Sequence, residues 1–169
     1  MRRLTIATIA ALFLFLTLGA VPALAFDRAA NEAKMLRLVN QARVSRGLAA
    51  VKVVTTLDRA ALNHSLDMLS RDYFSHSSLA GATVGTRAVR AGYSTTGCSQ
   101  WTVGEVIAWG VSYRGTPESI FRGWMNSTAH RRIILGRSWR DVGIGCARGT
   151  FKGMSGVIMY TVDFGRRVR

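Results

Sequence analysis

Acidic residues are scarce in this chain. Its 169 residues include nine Asp and Glu but 23 Lys and Arg, which gives a formal net charge of +14 at pH 7. Outside the cytoplasm, such a surface suits anionic partners, for example lipid head groups or wall polymers. Nucleic acid is not expected, because the chain begins with an export signal and lacks a basic run interleaved with aromatic residues. A solvated arginine-rich surface without a specific partner is the alternative.

Cysteine is also scarce, since Cys98 and Cys146 are the only two in the sequence. Neither lies in a C-x-x-C pattern, which disfavours a pair of redox or catalytic thiols. In an oxidising compartment a lone pair of cysteines most often forms one disulfide. We therefore expect a Cys98–Cys146 bond that closes a loop of 48 residues. Such a bond would stabilise the fold by roughly 2 to 4 kcal/mol.

The first 25 residues have the pattern of a secretory signal peptide. A positively charged start precedes the apolar run Leu4–Leu18, and the stretch Val21–Ala25 ends in a small-x-small pattern. The apolar run is short for a transmembrane helix, and Pro22 leads into the cleavage pattern. These features predict cleavage after Ala25 and a secreted or periplasmic protein. The mature part, residues 26–169, is long enough for one domain with its own core.

Helices are expected early in the mature chain and strands late. Apolar spacing and end signals predict helices that begin near Asp27, Thr55, Thr83, Pro117 and Thr128. A capping box of Thr55 and Asp58 is expected to start the second of these. Strand patterns cover 101–109, 139–147 and 154–164, with an antiparallel hairpin turn at 149–153. Because the βαβ alternation is missing, the sequence predicts an α+β domain with a sheet layered between helices.

Three histidines and one glutamate are the candidate functional side chains of the mature chain. His64 lies in a buried row of the second helix, which is typical of a hydrogen-bonded core histidine rather than a ligand. His76 follows that helix in a polar loop, from which a side chain can point into a cleft. Glu105 lies within an apolar strand, where a carboxylate either faces solvent or meets a cation or a histidine. His130 lies in the first turn of the last helix, within a polar cluster.

Five motifs follow one another in register along the chain. They are His64–Met68, Tyr73–His76, Gly104–Ala108, Trp124–Ser127 with His130–Leu135, and Tyr160–Gly165. Together they resemble the bacterial branch of the CAP superfamily, which comprises cysteine-rich secretory proteins, antigen 5 and pathogenesis-related 1 proteins. The resemblance implies an α-β-α sandwich with a mainly antiparallel central sheet. It also implies a cleft lined by two histidines and acidic residues, which holds a divalent metal in some relatives.

Matching the motifs residue by residue indicates a candidate binding cleft. His76 and His130 match the two histidines of the family's cleft, and Glu105 matches its strand glutamate. Ser127 stands where eukaryotic relatives have a second glutamate. Glu118 is a candidate substitute for that missing carboxylate, although its place in the first turn of a helix also explains it.

Two functions and one structural role follow for this cleft. The resemblance favours a binding module for an envelope lipid, a wall polymer or an extracellular protein, with contact to a membrane surface. The alternative is a hydrolase in which His76 and His130 bind zinc or another divalent cation and Glu105 is the general base. No Ser-His-Asp order and no H-E-x-x-H motif is present, which supports binding. In the structural role, Glu105 bonds His130 and ties the sheet to the last helix.

Overall fold

The computed structural model describes residues 26–168, so the predicted signal peptide lies outside the described residues. Five α-helices and four strands are found in this part of the chain. The helices are α1 (Arg28–Val44), α2 (Thr55–Ser70), α3 (Val84–Arg90), α4 (Pro117–Asn126) and α5 (Thr128–Ile134). The strands are β1 (Lys52–Val53), β2 (Gln100–Val111), β3 (Asp141–Phe151) and β4 (Met154–Val168). Within these residues no helix is long and apolar enough to cross a membrane.

The helices begin close to the predicted positions, but α2 begins by a different mechanism. Asp27 caps α1 as expected, because its carboxylate accepts the Ala30 amide at 3.0 Å. The predicted capping box at the start of α2 is wrong, since Val54 is the N-cap residue and no side chain caps the helix. Asp58 instead accepts the backbone amide of Ile144 in β3 at 2.8 Å. This contact fixes α2 to the sheet.

The sheet has the strand order β1-β3-β4-β2. The β2–β4 and β3–β4 pairs are antiparallel, and the short β1 pairs with β3 in parallel. The hairpin turn is tighter than predicted, because β3 continues to Phe151 and leaves only Lys152 and Gly153 between the strands. Both turn residues have positive φ, 49° and 75°, as expected in a two-residue turn that matches the strand twist. Because two of the three strand pairs are antiparallel, the prediction of a mainly antiparallel sheet is confirmed.

Helices cover both faces of the sheet, which confirms the α-β-α sandwich. One core cluster joins α1, α4 and α5 to one face, and two smaller clusters join α2 and α3 to the other. Glycines in β3 allow α2 to lie very close to the sheet. A Cβ atom at Gly143 or Gly145 would lie 2.1 Å from the backbone of Leu57 or Leu62. Since β2 is an edge strand, its outer side is free to border a cleft.

The predicted disulfide is wrong, because Cys98 and Cys146 are both free thiols in the structure. Cys146 lies in the middle of β3 and is in register with Tyr160, which pairs with Ala108 of β2. Cys98 precedes Gln100, the first residue of β2. The eight residues from Ala108 to Gln100 span roughly 26 Å at about 3.3 Å per residue. A disulfide requires Cα atoms within about 7 Å, so the sheet register keeps the two thiols apart.

Candidate functional site

A cleft of about 660 Å³ opens at the β2 edge of the sheet. Its walls come from the loop after α2, from β2, and from the helices α4 and α5. This volume lies within the range of small-molecule sites. The apolar lining consists of Phe74, Ile107, Ala108, Trp109, Ile120 and Trp124, and the polar lining of Ser75, His76, Tyr113, Arg114, Ser119, Arg122, Ser127 and His130.

The structure brings together most, but not all, of the predicted cleft residues. His76, Ser127 and His130 line the cleft, and Glu105 lies behind His76 with its side chain 2% exposed. Glu118 does not join them, so its proposed role as a substitute ligand is wrong. Its Oε1 lies 2.9 Å from Nζ of Lys34 in α1, whereas its neighbours Ser119 and Ile120 line the cleft.

Glu105 holds the centre of a buried polar network. Its Oε1 accepts a hydrogen bond from Nδ1 of His76 at 2.6 Å, and its Oε2 accepts one from the guanidinium of Arg87. Nε2 of His64 lies 3.9 Å from Oε2. Burial raises the pKa of Glu105, but the hydrogen bond from His76 and the charges of Arg87 and His64 outweigh it and lower this pKa. The alternative in which Glu105 bonds His130 is therefore wrong, since the carboxylate anchors His76 instead.

Arg87 ties the loop and the sheet together. Its NH1 group donates to the carbonyl oxygens of His76 at 2.8 Å and Ala82 at 2.9 Å, while its NH2 group contacts Glu105. The side chain is only 10% exposed. Arg87 thus fixes the backbone of the loop that carries His76 as well as the carboxylate that orients the His76 ring.

Asp163 lies beside this network on β4, directly across from Glu105 in the sheet register. It is fully buried, and neither carboxyl oxygen has a hydrogen-bond partner among the described residues. Burial and then the negative charge of Glu105 raise the pKa of Asp163 well above its ordinary value. The pKa values of the two neighbouring carboxyl groups are thus shifted in opposite directions, that of Asp163 upward and that of Glu105 downward.

The two cleft histidines present different surfaces. The His76 side chain is 57% exposed, and its Nδ1 is committed to Glu105, which leaves Nε2 for the cleft. His130 is half-buried, and its Nδ1 is buried without a partner among the described residues. Burial and then the charge of His76 lower the pKa of His130. The lowered pKa favours the neutral imidazole of His130, whose buried Nδ1 is unpaired within the described residues.

Comparison with known proteins places this arrangement in a family. The family model described as CAP, cysteine-rich secretory protein family, matches residues 36–164. The chain belongs to this family. Over 116 residues it is 35% identical to the uncharacterized protein YkwD of Bacillus subtilis, covering 69% of this chain and 42% of YkwD. It therefore spans less than half the length of that relative.

Solved structures of CAP and surface proteins share the fold. An extracellular protein from Bacillus anthracis that contains an SCP domain has a TM-score of 0.66 and 27% identity, over 82% of this chain and 41% of that one. An outer surface protein from Borrelia burgdorferi has a TM-score of 0.67 and 17% identity, over 84% and 96% of the two chains. At that identity, the Borrelia protein supports the fold alone.

The divalent metal of some CAP relatives does not fit the residues of this cleft. Within residues 26–168, no group of three or more His, Cys, Asp or Glu side chains is arranged to hold a metal ion. Both oxygens of Glu105 are engaged, one with His76 and the other with Arg87. His76 and His130 remain as two imidazoles, which is fewer than the three protein ligands of a catalytic zinc site.

Sequence reasoning missed two residues of this CAP site, Arg87 and Asp163. A signal for Arg87 exists, because a carboxylate in an apolar strand requires a nearby cation or histidine. The weak helix at 84–90 carries two arginines, Arg87 and Arg90, either of which could supply that cation. No local signal identifies Asp163 as the neighbour of Glu105, since strand register depends on the whole sheet.

Proposed function

We propose that this CAP protein is an exported binding protein whose cleft holds an anionic, amphipathic lipid of the cell envelope. The composition of the lining carries the proposal. An aromatic and aliphatic floor is bordered by two arginines and two histidines, and no carboxylate lines the cleft in the described part of the chain. Such a lining suits a ligand with an apolar chain and a negatively charged head.

The apolar floor is rigid. Trp124 is 2% exposed, and its indole Nε1 donates to the carbonyl oxygen of Ile107 at 3.1 Å. At the mouth of the cleft, Phe74 and Tyr113 are 42% and 69% exposed. Aromatic side chains at such a rim are favourable at a membrane–water interface, which supports delivery of a lipid from a membrane surface.

The charges at the rim favour an anionic head group. Arg114 and Arg122 are exposed lining residues, and the formal net charge of the chain is +14. A basic residue near an anionic membrane contributes about 1 kcal/mol of attraction. The imidazoles of His76 and His130 also line the cleft, and Nε2 of His76 is not engaged by Glu105.

The hydrolase alternative has less support in the geometry. A general base must reach the water that it activates, but Glu105 is buried behind His76 and paired with Arg87. Its lowered pKa also makes it a weak base.

The description of the Bacillus anthracis protein as extracellular agrees with export of this chain.

Vesicle binding tests the lipid proposal. The purified protein is titrated with vesicles of phosphatidylglycerol and, separately, of phosphatidylcholine. Binding to phosphatidylglycerol is expected to weaken about 30-fold in the double variant Arg114→Ala, Arg122→Ala, from about 1 kcal/mol for each arginine. The control Arg37→Ala, Arg137→Ala removes the same charge from exposed positions outside the cleft.

Four results would contradict the proposal. Equal loss in the control pair would indicate general charge attraction, and equal binding to both lipids would exclude head-group recognition. The variant Ala108→Phe fills the floor of the cleft, so undiminished binding by a folded Ala108→Phe protein would exclude the cleft as the site. One zinc per chain that is lost in both His76→Ala and His130→Ala would favour the hydrolase instead.

A further inference from the structure

A second cavity, of about 390 Å³, lies between α2 and α3 and shares no lining residue with the cleft. Three arginines line it, Arg59, Arg87 and Arg90. We propose that this arginine cavity binds a phosphate group. The site is separate from the lipid cleft and does not depend on the function proposed for it.

Two of the arginines have most of their donors free. Arg90 forms no hydrogen bond or ion pair with any of the described residues, and it is exposed in the last turn of α3. Arg59 donates from NH2 to the carbonyl oxygen of Ala91 and makes no ion pair within residues 26–168. Because a guanidinium carries five N–H donors in a planar fork, both side chains retain the geometry for bidentate contact with an oxyanion.

Arg87 supplies a third, fixed donor. Its side chain is 10% exposed, and its Nε is buried without a hydrogen-bond partner among the described residues. The other two nitrogens are held by Glu105 and by the carbonyl oxygens of His76 and Ala82. A buried N–H group without a partner is unfavourable, and an anion in the cavity would give it one. The bonds to Glu105 and to the loop hold this guanidinium in place for the ligand.

The carboxylates in and around the cavity do not neutralise all of its positive charge. Asp67 is the one carboxylate among the lining residues. It accepts the Tyr73 hydroxyl and lies 3.6 Å from NH1 of Arg71. Arg87 is paired with Glu105, so Arg59 and Arg90 remain as two positive charges without a partner carboxylate in the described chain.

The donor set favours phosphate over a carboxylate. Besides the arginines, Asn63 and Ser78 line the cavity with amide and hydroxyl groups. His64 also lines it, but its Nε2 is engaged by the carbonyl oxygen of Ser75 at 2.9 Å. A carboxylate has two oxygens, whereas a phosphate group presents three or four to donors that converge from two helices and a loop. The cavity volume leaves room for a small substituent on the phosphate.

Histidine NMR can locate the ligand, because the sequence has only three histidines. His64 lines the arginine cavity, whereas His76 and His130 line the cleft. The purified protein is titrated with inorganic phosphate at constant ionic strength, with chloride as the reference. The expected result is a saturable shift of the His64 imidazole signals while those of His130 stay in place. A non-saturating shift, or equal shifts of His64 and His130, would overturn the site.

Substitutions separate the site from general charge. In Arg59→Gln, Arg90→Gln, phosphate affinity is expected to fall at least about tenfold, since two bidentate donors are removed. The control Arg37→Gln, Arg137→Gln changes the net charge equally and should leave affinity unchanged. Arg87→Lys keeps the charge near Glu105 but removes the Nε donor, and it should weaken binding while the protein stays folded. Equal loss in the control pair, or full affinity in the Arg59/Arg90 variant, would overturn the proposal.

Two further ligands identify the source of the phosphate. Glycerol 3-phosphate represents a soluble phosphate ester, and short-chain phosphatidylglycerol below its micelle concentration represents a lipid. A saturable His64 shift with either one supports the arginine cavity and assigns its source. If the lipid moves only His76 and His130, it occupies the cleft alone. In that case inorganic phosphate and glycerol 3-phosphate decide the cavity proposal. If neither shifts the His64 imidazole signals, the proposal is overturned.

Discussion

The cleft and the arginine cavity are both basic, but their cations have different surroundings. In the cleft, Arg114 and Arg122 border a floor of aromatic and aliphatic side chains. In the cavity, the arginines lie among amide, hydroxyl and imidazole groups. Glu105 lies between the two regions, since it contacts His76 on the cleft side and Arg87 on the cavity side. One buried carboxylate thus orients a functional group in each region.

Removal of that carboxylate should have the largest effect. Glu105→Gln leaves the buried Arg87 without its counter-charge and His76 without its anchor. We expect the free energy of unfolding to fall by about 3 to 5 kcal/mol, as when one partner of a buried ion pair is removed. Urea denaturation measures the change. Glu118→Gln is the matched control, because it breaks an exposed pair with Lys34 that is worth at most about 1 kcal/mol. Similar losses in both variants would contradict the central role of Glu105.

Asp163→Asn should stabilise the protein at neutral pH. Folding raises the pKa of Asp163, whereas an aspartate in the unfolded chain has a pKa of about 3.9. Because the folded-state pKa is raised, the stability that Asp163 contributes is fully present below about pH 4 and is lost as the pH rises. A tenfold difference in proton affinity between the two states corresponds to about 1.4 kcal/mol. We therefore expect Asp163→Asn to raise the free energy of unfolding at pH 7 by more than about 1 kcal/mol.

Stability measured at several pH values checks the role of Asp163. The difference between Asp163→Asn and the wild type should grow from pH 4 to pH 7. Parallel stability curves for the two proteins would mean that Asp163 is ionised in the folded state. Histidine NMR on the same variant would show whether the cleft and the cavity both keep their geometry.

Much of the fold could be predicted from the sequence, because its signals are local. Thr116 and Pro117 start α4 as predicted, since a capping hydroxyl and a proline at the first turn are sufficient to define a helix start. The apolar alternation after Trp139 and after Met154 likewise gives β3 and β4. The motif order also predicted that His76 would reach the same cleft as His130.

The errors concern partners that are distant in sequence. Compartment and cysteine number alone predict the Cys98–Cys146 bond, but the register of the sheet separates the two thiols. The sequence makes Glu118 a candidate for the cleft, but in the fold its carboxylate pairs with Lys34 of α1. The role of Arg87 depends on how α3 packs against β2. The spacing of these residues along the sequence does not predict the distances between their side chains in the fold.

Acid should weaken the fold through two histidines, His64 beside Glu105 and His130 in the cleft. Burial is the first cause of a lowered pKa for both His64 and His130. In the unfolded chain a histidine has a pKa of about 6.5, so the unfolded state binds protons first as the pH falls. The stability from these neutral histidines is present above about pH 6.5 and is lost below it. We expect a loss of about 1 kcal/mol between pH 7 and pH 5.

The variants His64→Gln and His130→Gln divide this acid effect between the two regions. Each should flatten the fall in stability, and His64→Gln should do so more, because His64 is almost fully buried and His130 is half-buried. Thermal unfolding at pH 7 and pH 5 gives the slopes. Unchanged slopes in both variants would assign the acid sensitivity to the carboxylates instead.

The smallest expected effect is a difference in how strongly salt weakens ligand binding in the two regions. Salt screens exposed charges, since the Debye length shortens from about 10 Å at 0.1 M to about 3 Å at 1 M. Three arginines line the arginine cavity, whereas two border the cleft, so charge should contribute more to phosphate binding than to lipid binding. Between these two salt concentrations, phosphate affinity should therefore fall about threefold more than lipid affinity. Titrations of both ligands at each concentration measure the difference. An equal fall for both ligands would mean that charge contributes equally to binding in the two regions, which would contradict the difference between them.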